Sequence, residues 1–142
     1  MAVVRIGVIG GGFGAQHLQG YGATKDADVV AFCQRSSDKA EATAQEYGVP
    51  YVYTDYRRLL AHEGLDAVSI VAPPHLHSEM VLEAFRQGLH VLCEKPMATN
   101  FSDAQRMLDA SKANTRQLMI GFFERFRPST QSVKKMITRY KN

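Results

Sequence analysis

Arg5-Ile6-Gly7-Val8-Ile9-Gly10-Gly11-Gly12-Phe13-Gly14-Ala15 is the stretch on which the reading of the whole chain turns. Its β-branched apolar run predicts a buried strand. The glycines that end the run permit backbone angles that other residues adopt only at a cost. Ala15–Tyr21 then reads as a helix with Leu18 and Tyr21 on one face. Strand, glycine turn and helix make the frame of a dinucleotide-binding crossover: the turn lets a diphosphate approach the backbone, and the helix N-terminus offers free N–H groups. The match is Gly10-x-Gly12-x-x-Ala15, with alanine in the third place and Gly14 just before it. The plainer alternative is a tight turn that only closes a βα unit. Ile6–Ala15 also imitates the apolar core of a signal peptide, but five glycines in ten residues make a poor export helix.

Working outward, a chain of 142 residues is long enough for one domain with a real core. No apolar run approaches membrane-spanning length, so no membrane partner is expected. Cys33 and Cys93 are the two cysteines, and each lies in an apolar run. They read as buried thiols of a reduced, cytoplasmic protein. The net charge of +3 is unevenly placed. From Arg116 onward seven basic residues (Arg116, Arg125, Arg127, Lys134, Lys135, Arg139, Lys141) face one acid, Glu124. Without a recognition motif or interleaved aromatics, this reads as a solvated helix face and not as a nucleic-acid footprint. Val133, Met136, Ile137 and Tyr140 mark the apolar stripe of that helix.

Strands are expected at residues 27–33, 51–53, 66–72, 89–93 and 117–123, with the third near a sheet edge. Helices are expected at 37–47, from a cap at Thr54 or Asp55 through Leu60 and ending at Gly64, at 77–87, at 101–113 from a cap near Thr99 or Ser102, and from Pro128 onward. Six alternations predict an α/β fold, a doubly wound parallel sheet in the order 3-2-1-4-5-6 with both faces covered. Residues 1–125 would form this Rossmann domain, and 126–142 a helix leading out of it.

In such a sheet ligands lie at the carboxyl ends of the strands. The end of the second strand carries Gln34-Arg35-Ser36-Ser37 and then Lys39, where NAD-binding proteins usually have an acid. A guanidinium and two hydroxyls with no carboxylate among Gln34–Ser37, and the ammonium of Lys39 just beyond, suit a 2′-phosphate, so NADP is preferred over NAD. The alternative leaves Arg35 and Lys39 as surface charges at a helix start. Ala72-Pro73-Pro74-His75-Leu76-His77 is a stiff loop expected beside the nicotinamide ribose. His75-x-His77 lacks a third ligand at useful spacing, so no metal is expected. Lys95, in Cys93-Glu94-Lys95-Pro96, would point into the cleft, or else be an ordinary solvated lysine.

The order of Gly10–Ala15, Pro73-Pro74-His75-Leu76-His77, Glu94-Lys95-Pro96 and Gly121-Phe122-x-x-Arg125-Phe126-x-Pro128 resembles the Gfo/Idh/MocA family of NAD(P)-dependent oxidoreductases. The resemblance covers essentially the whole chain, and Glu-Lys-Pro is its most specific part. It implies hydride transfer between a nicotinamide cofactor and a secondary alcohol such as a sugar or cyclitol. Lys95 would be the catalytic residue, touching nicotinamide ribose and substrate hydroxyl, and Pro96 would follow a cis bond. The cofactor would be held by Gly10, Gly12, Phe13, Gly14 and Ala15, by Gln34, Arg35, Ser36 and Lys39, by Ala72, Pro73, Pro74 and His77, and by Glu94, Lys95 and Arg125.

Two departures from the family stand out. Gln34 takes a place where many NAD-using members have an acid. The chain also ends at Asn142, where the family continues into a second domain with a large open antiparallel sheet. That domain usually carries the catalytic histidine and aspartate. A shortened polypeptide, a fragment and a naturally short cofactor-binding protein are all consistent with this. The competing function is a stand-alone NADP(H) sensor without chemistry. An unpartnered final helix leads to the expectation of a homo-oligomer formed through it, or of disorder in that helix.

Overall fold

The computed structural model describes residues 3–140. Six parallel strands, β1 (Val4–Ile9), β2 (Ala27–Cys33), β3 (Tyr51–Tyr53), β4 (Ala67–Ile70), β5 (His90–Cys93) and β6 (Leu118–Ile120), form one sheet in the order β3-β2-β1-β4-β5-β6. This is the expected doubly wound order, with the short β3 at an edge. The carboxyl ends fall on one row: Tyr53, Cys33, Ile9, Ile70, Cys93 and Ile120 are successive partners. The next residue of several strands adds one more rung. Gly10 N–H donates to the Cys33 carbonyl at 2.8 Å, Glu94 N–H to Ile70 at 2.9 Å and Gly121 N–H to Cys93 at 2.8 Å. Gln34, Gly10, Val71, Glu94 and Gly121 therefore stand side by side on one rim.

Alternation along the strands supplies two cores. Ile6, Val8 and Phe32 bury against α1 (Gly14–Gly22) and α2 (Ser37–Tyr47) through Leu18, Ala40 and Ala44. Ile9, Cys33, Val68, Ile70, Val91 and Cys93 bury on the other face against α3 (Tyr56–Leu60), α4 (Pro74–Arg86) and α5 (Phe101–Ala113), through Leu59, Leu60, Val81, Phe85 and Met107. Coverage is incomplete over β6, where Met119 is 48% exposed, which corrects the expectation of a sheet sheltered on both faces.

Several boundaries move for local reasons. Helix α4 begins at Pro74, three residues before His77, because proline at the first helical position has no N–H to lose and a preset φ. The cap of α5 is Asn100, whose side chain accepts from Asp103 N–H at 2.9 Å, and neither Thr99 nor Ser102. Asp55 caps α3. Strand β6 stops at Ile120, because Phe122 N–H turns back to the Ile120 carbonyl and Phe123–Phe126 winds into a 3-10 turn. Helix α6 (Pro128–Arg139) follows with no buried residue, and Lys141 lies outside the described residues. No helix is long and apolar enough to cross a membrane among those described.

Candidate dinucleotide site

The glycine turn sits at the centre of the rim, where its spacing and backbone angles make a cradle. Gly10 has φ +116°, and a Cβ there would lie 2.1 Å from the Val71 carbonyl oxygen. Gly12 has φ +58° with open space before it. Gly11 faces the Gln34 side-chain amide, which a Cβ would strike at 2.6 Å. Gly14 is buried at the start of α1, with Phe13 and Ala15 on either side. That helix has no side-chain cap and no acid in its first turn. Among the described residues no protein acceptor takes the N–H groups of Gly11, Gly12 or Phe13. The arrangement fits an anionic diphosphate, for which unpaired N–H groups and a positive helix end are the complementary surface.

Beside the cradle, Arg35, Ser36 and Lys39 are exposed at the start of α2, and Gln34 is half-buried against the turn. Arg35 and Lys39 form no ion pair among the described residues. No carboxylate occupies the Gln34–Ser37 segment, and Asp38 is the next residue, exposed in the first turn of α2. Ala72 and Pro74 are half-buried and Pro73 exposed on the next loop.

His77 departs from its expected role. The ring is fully buried, with Nε2 2.8 Å from the Ala72 carbonyl oxygen and Nδ1 2.9 Å from that of Pro96. Both nitrogens face backbone carbonyl oxygens, to only one of which a neutral ring can donate, and the buried ring sits between the Pro73-Pro74 loop and the Glu-Lys-Pro loop, away from any ligand. The same contacts take it out of any pairing with His75 around a metal, and no cluster of three ligating side chains occurs among the described residues.

Glu94 is also turned inward. It is 7% exposed, and its Oε2 accepts the Lys95 backbone N–H at 3.1 Å. Its Oε1 lies 3.1 Å from His17 Nε2. Gly121 makes room for it, since a Cβ there would fall 2.6 Å from Oε1. Lys95 itself is exposed, and the Lys95-Pro96 peptide is cis, as the resemblance implied. Arg125 lies exposed in the 3-10 turn, its guanidinium 5.8 Å from the Phe126 ring centre. That turn reaches the cradle through Phe123, whose ring centre is 6.0 Å from that of Phe13.

Sequence reasoning missed His17, Ser69 and Tyr21. His17 Nδ1 is 2.8 Å from Ser69 Oγ, and the Tyr21 hydroxyl donates to the same oxygen at 3.2 Å. His17 and Tyr21 are four apart on α1, so a helical reading that placed Tyr21 inward could have placed His17 there too.

Residues 4–122 match the NAD-binding Rossmann domain of the Gfo/Idh/MocA oxidoreductases. The chain belongs to this family. It is 33% identical to D-xylose 1-dehydrogenase (NADP(+)) 2 of Haloferax volcanii over 92% of its own length and 41% of that protein's. It is 31% identical to myo-inositol 2-dehydrogenase of Thermotoga maritima, covering 94% of this chain and 40% of the relative. Scyllo-inositol dehydrogenase of Lactobacillus casei, solved with NAD(H) and scyllo-inositol, superimposes with TM-score 0.91 at 25% identity, over 98% of this chain and 42% of that one. As a member of the Gfo/Idh/MocA family the chain is an NAD-binding oxidoreductase domain, and it spans about two fifths of the length of these relatives.

Proposed function

We propose that this domain binds NADP(H) in preference to NAD(H), and that in the whole enzyme it serves hydride transfer to or from a secondary alcohol of the sugar or cyclitol class. The observation that carries the reading is the place of Lys95. It follows β5 on the rim that holds the glycine cradle, its side chain is exposed, and its flanks are fixed. Glu94 accepts its N–H, and the buried His77 ring packs against the Pro96 carbonyl, with Nδ1 2.9 Å from the oxygen. Bound nicotinamide supplies the hydride chemistry. The glycine turn holds the diphosphate, Arg35, Ser36 and Lys39 gather the ribose phosphate, and Lys95 moves the proton at the reacting hydroxyl. A pure sensor would have no use for a lysine fixed at this position.

The test is Lys95→Met in the whole enzyme. The catalytic reading expects kcat to fall by about a hundredfold or more, with cofactor affinity changed far less, because the contact strengthens as the proton leaves. Unchanged kcat would return Lys95 to the solvated surface. The sensor reading requires that no sugar or cyclitol be turned over by any form of the protein.

A further inference from the structure

We propose that His17 is the positioning residue for Lys95, acting through a directed chain of hydrogen bonds that runs Tyr21, Ser69, His17, Glu94 and ends on the Lys95 backbone. The inference rests on the assignment of Lys95 to the nicotinamide site, but the chain itself is defined by distances and proton counting. Tyr21 donates to Ser69 Oγ at 3.2 Å, and burial raises the phenol's pKa, so it keeps its proton. Ser69 is fully buried and has one proton of its own. Its neighbour at 2.8 Å is His17 Nδ1. At the other end, the Glu94 carboxylate can only accept. It takes Lys95 N–H at 3.1 Å on one oxygen, so His17 Nε2, 3.1 Å from the other, must donate.

A single assignment uses every proton once. Tyr21 O–H points to Ser69, Ser69 O–H to His17 Nδ1, and His17 Nε2–H to Glu94, with a neutral ring. A second proton on Nδ1 would turn two donors onto Ser69 Oγ and leave the serine proton to find another acceptor at a fully buried site. Serine, histidine and glutamate in this order suggest a hydrolase triad, but Ser69 lies inside β4 without access to a substrate.

The chain spans parts of the site that covalent structure leaves far apart. Ser69 and Glu94 are 52 and 77 positions from His17. The ring of Phe13, from the glycine cradle, meets the His17 ring edge-on at 5.8 Å and also reaches Phe123. His17 is thus where the diphosphate cradle, the middle of β4 and the Glu-Lys-Pro loop share one contact. Without it, the buried Glu94 carboxylate would lose the side-chain partner of Oε1 that fixes its orientation, and with it the aim of Oε2 at the Lys95 N–H.

Three measurements on the 142-residue protein test this. The imidazole 15N spectrum should show His17 protonated at Nε2 only, and Glu94→Gln should move that resonance; a ring protonated at Nδ1 instead would overturn the proposal. Amide exchange at Lys95 should accelerate about tenfold or more in His17→Leu, while Val91 and Ile70 in the sheet stay protected. Should His17→Leu fail to fold, Ser69→Ala is read the same way through the His17 spectrum, where loss of the Nε2-only form is expected. Equal Lys95 exchange in folded His17→Leu and in the natural chain would overturn the proposal. The emission of bound NADPH separates the two readings. A change in Lys95→Met together with His17→Leu supports both. No change in Lys95→Met, with the spectrum and exchange as expected, defeats the nicotinamide placement of Lys95 but leaves the chain of bonds standing. A change in Lys95→Met with none in a His17→Leu protein whose Lys95 exchange has risen defeats the positioning role.

Discussion

Gln34 occupies the rim position next to Gly10, and its side-chain amide lies over Gly11. An acid in the same place would repel a phosphate on the adjacent ribose hydroxyl, while an amide leaves that space to Arg35 and Lys39. Arg35→Ala is therefore expected to weaken NADPH binding by about ten- to a hundredfold, since a hydrogen bond to a charged group contributes about 1.5–3 kcal/mol. NADH binding should scarcely change, and Gln34→Asp should reverse the preference. Fluorescence titration with both cofactors checks this, and equal affinity for the two in the natural chain defeats it. The thiols give a second expectation at this scale. Burial and the charge of Asp55 push Cys33 up to about 12, and burial and the charge of Glu94 push Cys93 up to about 12. Between the ordinary thiol range near 9 and 12 the folded chain holds protons that the unfolded chain releases. Stability is then complete well below pH 9 and falls as pH rises toward about 12, by up to about 1.4 kcal/mol per pH unit for each thiol. Denaturant midpoints at pH 8 and pH 10 measure it, and both thiols should resist alkylation at pH 8 until the chain unfolds.

The elements show what a sequence discloses and what it conceals. Runs such as Val29–Cys33 and Val68–Val71 announce buried parallel strands, and Gly48 and Gly88, both at positive φ, close the helices they follow. The strand order follows from this alternation together with the handedness of crossovers. Element ends were less legible, because they depend on which of several competent groups reaches a free N–H. Thr99, Asn100 and Ser102 are all capping residues by type, and only the backbone path selects Asn100, whose amide group also donates to the Asp103 carboxylate at 2.8 Å. Asn100→Ala should cost about 1 kcal/mol by urea unfolding, while Thr99→Ala and Ser102→Ala should stay within about 0.5 kcal/mol. The site divides in the same way. Glycines, the Arg35 loop and the Glu-Lys-Pro loop declare themselves as contiguous motifs. His17, Ser69 and Tyr21 do not, because their meaning arises only when folding brings the His17 and Tyr21 side chains of α1 to Ser69 in β4 and to Glu94 after β5. The inward turn of His77 was hidden for a related reason: its partners are two backbone carbonyls, and a sequence does not say where a carbonyl points.

Across the whole molecule, exposed apolar side chains are densest from β6 to the end of α6. Met119, Phe122, Phe123 and Phe126 are each more than two fifths exposed, and α6 adds Val133, Met136, Ile137 and Tyr140, the last 90% exposed. In α6 the basic residues Lys134, Lys135 and Arg139 alternate with this stripe, so the helix is amphipathic with its apolar face unoccupied. A single exposed apolar side chain is ordinary, whereas a stripe along a whole helix tends to find another surface. In the 142-residue chain taken alone, a second copy presents the same stripe, and a two-fold arrangement lets each helix cover the other. Sedimentation velocity should then show self-association that grows with concentration. Met136→Asp combined with Ile137→Lys should shift the population to monomer, since each places a charge at the centre of the stripe. The two changes should leave unfolding of the sheet and cofactor affinity nearly unaltered, because none of the α6 side chains is buried in the domain. A dimer that survives both substitutions would mean that the copies meet elsewhere, with the exposed β3 edge at Tyr51 the next surface to mutate.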